Sequence, residues 1–176
     1  GMSPLANAYL NAKSLQQEEL FYPLQVFVCH KCLLVQLSEN VEDPKKIFSE
    51  YLYFSSYSKT WLKHTEEFVN NVTKKFSLNK NNQIIEIASN DGYLLQYFKN
   101  KNIPILGIEP AANIAKVAEE KGIKTMNKLF GVETADELKK NGYEADLLIA
   151  INVLPHVPNI KDFVKGIKKI LKQNGI

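Results

Sequence analysis

The stretch "EIASNDGYLL", residues 86–95, decides how the second half of the chain is interpreted. It begins at Glu86, near the end of an apolar run, and continues with small or polar residues, one glycine and helix-forming residues. This order is typical of a strand that turns sharply into a helix. Ligands bind beyond the carboxyl ends of the strands in an open α/β sheet. The stretch therefore predicts both a fold class and a candidate cofactor-binding turn.

Apolar runs alternate with amphipathic segments from residue 84 onward. The predicted strands span 84–88, 103–109, 123–127 and 145–151, and the predicted helices span 92–101, 111–122, 132–142 and 159–175. Strands that alternate with helices in this way favour right-handed βαβ units and a parallel sheet. The predicted fold class is therefore α/β, with a Rossmann-like parallel sheet.

The N-terminal part of the chain is less regular. Short strands predicted at 24–29 and 33–37 flank a Cys-x-x-Cys pair, Cys29 and Cys32, in a hairpin-like arrangement. A helix is predicted to begin at Asp43–Pro44, with the aspartate as its cap and the proline at its first position.

An amphipathic helix over residues 57–76 leads into the α/β part, and the polar, turn-rich stretch 77–83 marks a boundary. The predicted organisation is an N-terminal module at 1–56, a connecting helix at 57–80 and an α/β domain at 81–176.

Length and composition exclude several classes of function. The 176 residues are 45% hydrophobic and 23% charged, as expected for a globular chain with a core. A net charge of +3 is too weak to indicate nucleic-acid binding. No apolar stretch reaches the ~20 residues of a membrane helix. Two cysteines form no disulfide framework and no signal peptide is evident, so the expected compartment is the cytoplasm.

The turn at 88–92 lacks the G-x-G-x-x-G pattern of dinucleotide-binding folds. Ala88 and Asn90 stand where glycines would be expected, and only Gly92 remains. A pyrophosphate requires backbone amides at close approach, which this turn is poorly suited to provide. S-adenosylmethionine carries no phosphate and needs an acidic residue near its cationic end. The turn therefore favours S-adenosylmethionine over a nicotinamide dinucleotide.

Two acidic residues support this interpretation. Glu86 lies in the first strand, and Glu109 ends the second strand, 17 residues after Gly92. That spacing is near the one expected for an acid that binds ribose hydroxyls in a βαβ unit. The alternative is that both are merely acids at strand ends.

The fourth strand ends in "AINVLPHVPNI", which contains Asn152 and His156. Because the unperturbed pKa of histidine is near 6.5, His156 could act as a general base or contact a substrate. The alternative is a histidine that caps the next helix or fills a gap.

These stretches together resemble a known family. "EIASNDGYLL", "GIEPAANIAKVAEEKGI", "INVLPHVPNIKDFVKGIKKILKQNG" and, upstream, "PLANAYL", "YPLQVFVCHKCLLVQL" and "YLYFSSYSKTWLKH" are similar to the S-adenosylmethionine-dependent sugar C-methyltransferases. That family methylates a ring carbon of nucleotide-activated deoxysugars. The resemblance runs from Pro4 to Gly175 and implies a class I methyltransferase sheet that is partial, lacking its last strands.

The resemblance also implies roles for individual residues. It places Glu86, Ser89, Asn90 and Gly92 in the loop beside the methionine part of the cofactor. It places Glu109 and Pro110 at the ribose and adenine, and Asn152 in the cofactor pocket. It places Tyr53, or its neighbour Tyr51, at the substrate sugar and His156 at the reacting centre. A base next to a ketone and a donor to an enolate oxygen suit such chemistry.

The chain departs from the family in its cysteines. The family carries an N-terminal zinc module with two cysteine pairs, whereas only Cys29 and Cys32 are present in this sequence. One pair is half of a tetrahedral site, so a bound zinc is not expected from these residues alone.

The family also continues beyond "ILKQNGI" with further strands and with a catalytic tyrosine, glutamate and histidine. The predicted sheet therefore ends on an open apolar edge at 145–151, which would pair in a homo-oligomer unless covered. The expected partner is a nucleotide sugar. Three interpretations stay open: an active C-methyltransferase, a non-catalytic cofactor-binding or scaffold domain, and an unrelated nucleotide binder.

Overall fold

The computed structural model describes residues 1–5, 9–38 and 51–176. The chain divides into two compact units, Gly1–Asp43 and Pro44–Ile176. Residues 51–56, predicted to belong to the N-terminal module, lie in the second of these units. Over the described ranges, no helix has the length and apolar character needed to cross a membrane.

The N-terminal unit contains two small antiparallel strand pairs. Strand β1 (Met2–Ser3) pairs with β2 (Tyr22–Pro23), and β3 (Val26–Val28) pairs with β4 (Val35–Leu37). One turn of 3₁₀ helix spans Ser14–Gln16. The hairpin of β3 and β4 confirms the two strands predicted on either side of the cysteine pair, although each is shorter than predicted. The helix predicted from Asp43–Pro44 lies outside the described residues.

The second unit is a parallel sheet with helices. Its strands are β5 (Ile84–Ile87), β6 (Ile105–Ile108), β7 (Thr125–Met126) and β8 (Leu147–Ile149). Its helices are α1 (Lys59–Lys75), α2 (Leu95–Lys99), α3 (Ala112–Glu120), α4 (Val132–Lys140) and α5 (Ile160–Ile170). All strand pairings in this sheet are parallel. The predicted α/β class with a Rossmann-like sheet is therefore confirmed.

The strand order β7-β6-β5-β8 fixes where a ligand can bind. From β5 the chain first adds strands on one side, β6 and then β7, and then crosses to add β8 on the other side. The carboxyl end of β5 is thus the topological switch point, where the connections diverge and leave a crevice. The turn at 88–92 begins at that point.

Apolar packing on both faces holds the sheet in place. All four residues of β5 are buried, as expected for a central strand of a parallel sheet. Ile84 packs in one hydrophobic cluster with α1 and α2, whereas Ile85 and Ile87 pack in another with α4 and α5. Because side chains alternate along a strand, Glu86 lies on the same face as Ile84. An acidic side chain is therefore placed in an otherwise apolar layer.

The end of the chain corrects one prediction. Helix α5 ends at Ile170 instead of continuing to residue 175, and Leu171 adopts an extended conformation (ψ 131°). The N–H of Leu148 donates to the carbonyl of Ile176 (2.8 Å), and the N–H of Ile176 donates to Asp146 (2.9 Å). The edge of β8 that was predicted to be open is therefore covered along this stretch. The physical reason is that its free N–H and C=O groups gain partners only if the chain leaves the helix.

Candidate functional site

The turn after β5 has three residues in the left-handed backbone region that favours glycine, although only one of them is a glycine. Ala88, Asn90 and Gly92 all have positive φ, at 53°, 49° and 76°. Asparagine tolerates this region, but alanine pays a steric cost there. A Cβ added to Gly92 would lie 2.2 Å from Cδ1 of Ile123. This alternation of left-handed residues forms a tight turn although two of its three positions are not glycine.

Glu109, directly after β6, is buried and holds this turn. One carboxylate oxygen accepts the N–H of Asn90 (2.9 Å), and the other accepts the N–H of Ala111 (2.9 Å). Burial raises the pKa of Glu109, and the two backbone hydrogen bonds oppose that rise. Because each carboxylate oxygen has two lone pairs, both can accept a further hydrogen bond from a ligand hydroxyl.

Glu86 is 1% exposed, and its carboxyl group has no hydrogen bond to any of the described residues. Burial raises the pKa of Glu86 well above its usual range, and the nearby Tyr93 hydroxyl lowers it to a lesser extent. Buried polar atoms without partners are rare and costly. A buried carboxyl group beside the switch point, whose charged form is favoured among the described residues only by the Tyr93 hydroxyl, fits a cofactor that carries a cationic, hydrogen-bonding end.

A cleft of about 420 Å³ opens at the carboxyl edge of the sheet, within the size range of small-molecule sites. It brings together six of the predicted site residues, namely Tyr53, Asn90, Glu109, Pro110, Asn152 and His156. Tyr51, the alternative to Tyr53, also lines it. The six predicted residues therefore converge on one cleft from parts of the chain that lie far apart in the sequence.

Three predicted residues, Glu86, Ser89 and Gly92, are not part of the cleft wall. The hydroxyl of Ser89 is buried against Gly107, where an added Cβ would lie 2.4 Å from it. Ser89 therefore packs the turn onto β6, and Gly92 shapes the backbone. Glu86 lies beside Tyr93, which does line the cleft.

The segment after β8 places Asn152 and His156 on the other side of the cleft. Asn152 has a φ of 55°, and His156 ends a single 3₁₀ turn, Leu154–His156. The cap of α5 is Asn159, whose side chain accepts the N–H of Asp162 (3.0 Å). His156 is therefore not the helix cap, which removes one of the alternatives for this residue.

Several cleft residues were missed from the sequence. Trp61 of α1 and Tyr93 stack on each other, with ring centroids 6.1 Å apart, and both line the cleft. Lys128, Leu129 and Phe130 line it after β7. The signal was available for the last three, because the carboxyl end of every strand in a parallel sheet faces the same edge.

The cysteine pair lies at the tip of the β3–β4 hairpin, and both thiols are free. Backbone N–H groups of Cys32 and Lys31 lower the pKa of Cys29. The N–H of Leu33, which has a φ of 61°, donates to the carbonyl of Cys29 (2.8 Å). Across the part of the chain that is described, no three or more candidate metal ligands group together. The described residues thus fit half of a tetrahedral zinc site, not a whole one.

Comparison with known proteins agrees with this geometry. Residues 1–48 match a family described as "Putative zinc binding domain", and residues 85–176, more than half of the chain, match the family "Methyltransferase domain". The chain is 28% identical over its full length to C-methyltransferase NovU of Streptomyces niveus. It spans 42% of that relative's length, and so less than half of it.

Solved structures show the same fold. An S-adenosylmethionine-dependent methyltransferase from Clostridium acetobutylicum matches with a TM-score of 0.52 and 16% identity, over 65% of this chain and 48% of that one. Streptomyces venezuelae DesVI matches with a TM-score of 0.52 and 11% identity, over 68% of this chain and 50% of that one. The family that the sequence resembles is confirmed at this level: the chain belongs to the S-adenosylmethionine-dependent methyltransferases.

Proposed function

We propose that the cleft binds S-adenosylmethionine and serves the C-methylation of a nucleotide-activated sugar. The observation that carries the cofactor assignment is the turn of three left-handed residues between two buried carboxyl groups, Glu86 and Glu109. When bound, S-adenosylmethionine supplies an electrophilic methyl group on a sulfonium. The side chains of the protein bind the cofactor, orient the substrate and move the proton.

Each predicted residue has a defined task in this proposal. Glu109 accepts hydrogen bonds from the ribose hydroxyls, and Pro110 lies against the adenine end. Glu86 lies beneath a turn shaped by Ser89, Asn90 and Gly92, where a cationic methionine end would oppose the effect of burial and favour the charged form of this carboxyl group. Asn152 closes the pocket from the β8 side. Support comes from the burial of both carboxyl groups and from the cleft that Glu109 lines.

The substrate side of the proposal rests on His156 and Tyr53. His156 is the candidate base that removes a proton next to a ketone, and the Tyr53 hydroxyl is the candidate donor to the resulting enolate oxygen. Both side chains are exposed and line the same cleft. The similarity to C-methyltransferase NovU supports carbon as the methylated atom.

Calorimetric titration with S-adenosylmethionine tests the cofactor site. We expect binding by the wild-type chain and loss of binding in Glu109→Ala, because the variant lacks the ribose acceptor and frees two buried N–H donors. Glu119→Ala, which removes an exposed carboxyl group on α3, should bind as the wild type does. Absence of binding at millimolar cofactor would overturn the assignment.

Methyl transfer is a separate test, because the chain spans less than half of NovU. A nucleotide-activated keto-deoxysugar incubated with the chain and S-adenosylmethionine should gain one methylene unit by mass. His156→Ala and Tyr53→Phe should abolish or slow this gain while leaving cofactor binding intact. Cofactor binding without any transfer would favour the alternative, a non-catalytic cofactor-binding domain.

We further infer that zinc is not held by Cys29 and Cys32 alone. Two thiolates leave half of a tetrahedral shell to other ligands, so elemental analysis of the purified chain should find well under half a zinc per chain. A ratio near one would overturn this inference. The end of the chain covers part of the β8 edge, so pairing of two copies there would require that cover to move. A homo-oligomer stays a prediction, and sedimentation of the chain would test it.

A further inference from the structure

Residues 51–57, which we call the strap, form one wall of the cleft. They enter a 3₁₀ turn at Ser55–Tyr57, preceded by Phe54 in an extended conformation (φ −102°, ψ 116°). Tyr51 and Tyr53 line the cleft from this segment. Whatever holds the backbone of the strap therefore sets where these two tyrosines stand.

One end of the strap is held by Asn113, in the first turn of α3. Its Oδ1 accepts the N–H of Tyr51 (3.1 Å), and its Nδ2 donates to the carbonyl of Tyr51 (2.7 Å). A carboxamide offers the same donor and acceptor as a peptide group. Asn113 thus takes the place of a neighbouring strand at Tyr51.

The middle of the strap is held in the same way by Asn90. Its Oδ1 accepts the N–H of Ser55 (2.9 Å), and its Nδ2 donates to the carbonyl of Tyr53 (3.1 Å). Ser55 and Asn90 are each 7% exposed, so these bonds are sheltered from water. Residues 51, 53 and 55 use the same backbone edge, as alternate residues of an extended chain do.

Asn90 also contacts the carboxylate proposed for the ribose. Its backbone N–H donates to Glu109 (2.9 Å), while its side chain holds the strap. The next residue adds an ionic link, because the buried carboxylate of Asp91 accepts hydrogen bonds from Ser56 and from Lys121 (2.8 Å). The strap is therefore fastened to the cofactor turn itself.

We propose that Asn113 and Asn90 are positioning residues that hold the tyrosines of the strap at the cleft, and that Asn90 couples the strap to Glu109. The inference rests on the proposed function, since a ligand at Glu109 is what would engage the coupling. A ligand that immobilises Glu109 and the turn also immobilises the strap, so a second ligand at Tyr51 and Tyr53 loses less conformational entropy. By reciprocity, cofactor and substrate raise each other's affinity by the same factor.

Residue-resolved amide hydrogen exchange of the whole chain tests this coupling, with S-adenosylhomocysteine as the probe. Saturating probe should slow exchange at Tyr51 and Ser55 by about fivefold or more, the low end of typical coupling. In Asn113→Ala the Tyr51 amide should exchange up to about tenfold faster, since its hydrogen bond is lost and a tenfold change corresponds to the upper end of the typical net contribution of one hydrogen bond. Asn113→Asp keeps an acceptor for the Tyr51 N–H but loses the donor to the Tyr51 carbonyl. Its Tyr51 amide should therefore exchange at a rate between those of the wild type and Asn113→Ala.

Asn70→Ala, on the exposed side of α1, is the matched control and should leave the strap unchanged. The proposal is overturned if the wild type binds the probe without slower exchange in the strap. It is also overturned if a folded Asn113→Ala exchanges like the wild type at Tyr51, or loses the probe altogether, which would make Asn113 a cofactor contact. No probe binding by the wild type would instead overturn the proposed function.

Discussion

The two units of the chain differ in how much of themselves they bury. In the second unit, β5 is buried along its whole length and fully buried side chains lie on both faces of the sheet. In the N-terminal unit, none of the residues described at 1–5 and 9–38 is fully buried. Four aliphatic residues share one exposed face of its hairpin, namely Val26, Val28, Val35 and Leu37. Units this small usually need a metal, disulfides or a partner surface for stability.

Buried acidic side chains occur in the unit that has a hydrophobic core. Glu86 and Glu109 lie in the second unit at 1% and 5% exposure, and burial raises the pKa of both. Only a domain with ample apolar burial can offset the cost of such groups. The N-terminal unit has no comparable reserve among its described residues, and its candidate chemistry is at an exposed hairpin tip.

The same substitution in each unit gives the largest expected contrast. Phe98→Ala removes a fully buried ring from the sheet domain and should lower the free energy of unfolding by about 3–5 kcal/mol. Phe27→Ala removes a ring of β3 that is 45% exposed. It should change the free energy of unfolding by less than about 0.5 kcal/mol. Urea unfolding followed by circular dichroism measures both. Equal effects would show that the two units form one cooperative core.

The buried carboxyl group of Glu86 should appear in the pH dependence of stability. Since its pKa is raised in the folded state from the ordinary value of 4.5, the folded state binds the proton more tightly. The free energy of unfolding should therefore fall as the pH rises from about 4.5 through the raised folded value, by about 1.4 kcal/mol for each unit of the rise.

Glu86→Gln should fall less steeply over this range in urea titrations at several pH values. Glu109, whose pKa is raised in the same direction, remains in the variant and keeps part of the slope. Glu119→Gln, an exposed change on α3, is the control and should keep the wild-type slope. Identical slopes in Glu86→Gln and the wild type would contradict the effect of burial.

Much of the second unit could be predicted because the spacing of apolar residues differs between strands and helices and can be recognised in the sequence. The alternation from residue 84 predicted the four strands and four helices that follow it, and the amphipathic pattern at 57–76 predicted α1. The strand ends pointed to Glu109, Asn152 and His156, whereas the 3₁₀ turns were not predicted. The end of α5 was wrong because helix propensity says nothing about the unpaired edge of β8. The strap contacts of Asn113 could not be foreseen, since its partner Tyr51 lies 62 residues away in sequence.

The turn at 88–92 also has a conformation that could not be predicted from its residue types. A missing glycine pattern suggested an altered turn, yet Ala88 and Asn90 keep left-handed backbones because Glu109 and the packing of Ser89 hold them. Sequence reports which residues tolerate a conformation, whereas packing decides which conformation is imposed. Among the residues described in the N-terminal unit none is buried, so packing imposes no comparable constraint on them.

Ala88 in the second unit and Leu33 in the N-terminal unit both have a strained left-handed backbone, and replacing each by glycine should relieve that strain. Ala88→Gly should raise the free energy of unfolding of the sheet domain by up to about 1 kcal/mol, because relief of the left-handed strain exceeds the entropic cost of glycine. Ala118→Gly, at a fully buried position of α3, should lower it by more than about 1 kcal/mol, because the loss of a buried methyl group adds to the cost of glycine in a helix. Leu33→Gly relieves the same strain at the hairpin tip and should leave the sheet transition unchanged. Destabilisation by Ala88→Gly would mean that its methyl group contributes more by packing than its backbone costs.

The smallest expected effect is that of zinc on the sheet domain, because the cysteine pair is only half of a tetrahedral site and lies in the other unit. The single tryptophan, Trp61, lies in α1, so its fluorescence follows the second unit alone. A ligand raises the midpoint of a transition only if it binds within the unit that unfolds in it. Zinc should therefore leave the Trp61 midpoint unchanged, in the wild type and in the Cys29→Ser, Cys32→Ser double variant alike. A zinc-dependent rise that the double variant abolishes would show that the hairpin and the sheet share one transition, because the ion at the cysteines would then stabilise a core that it does not touch.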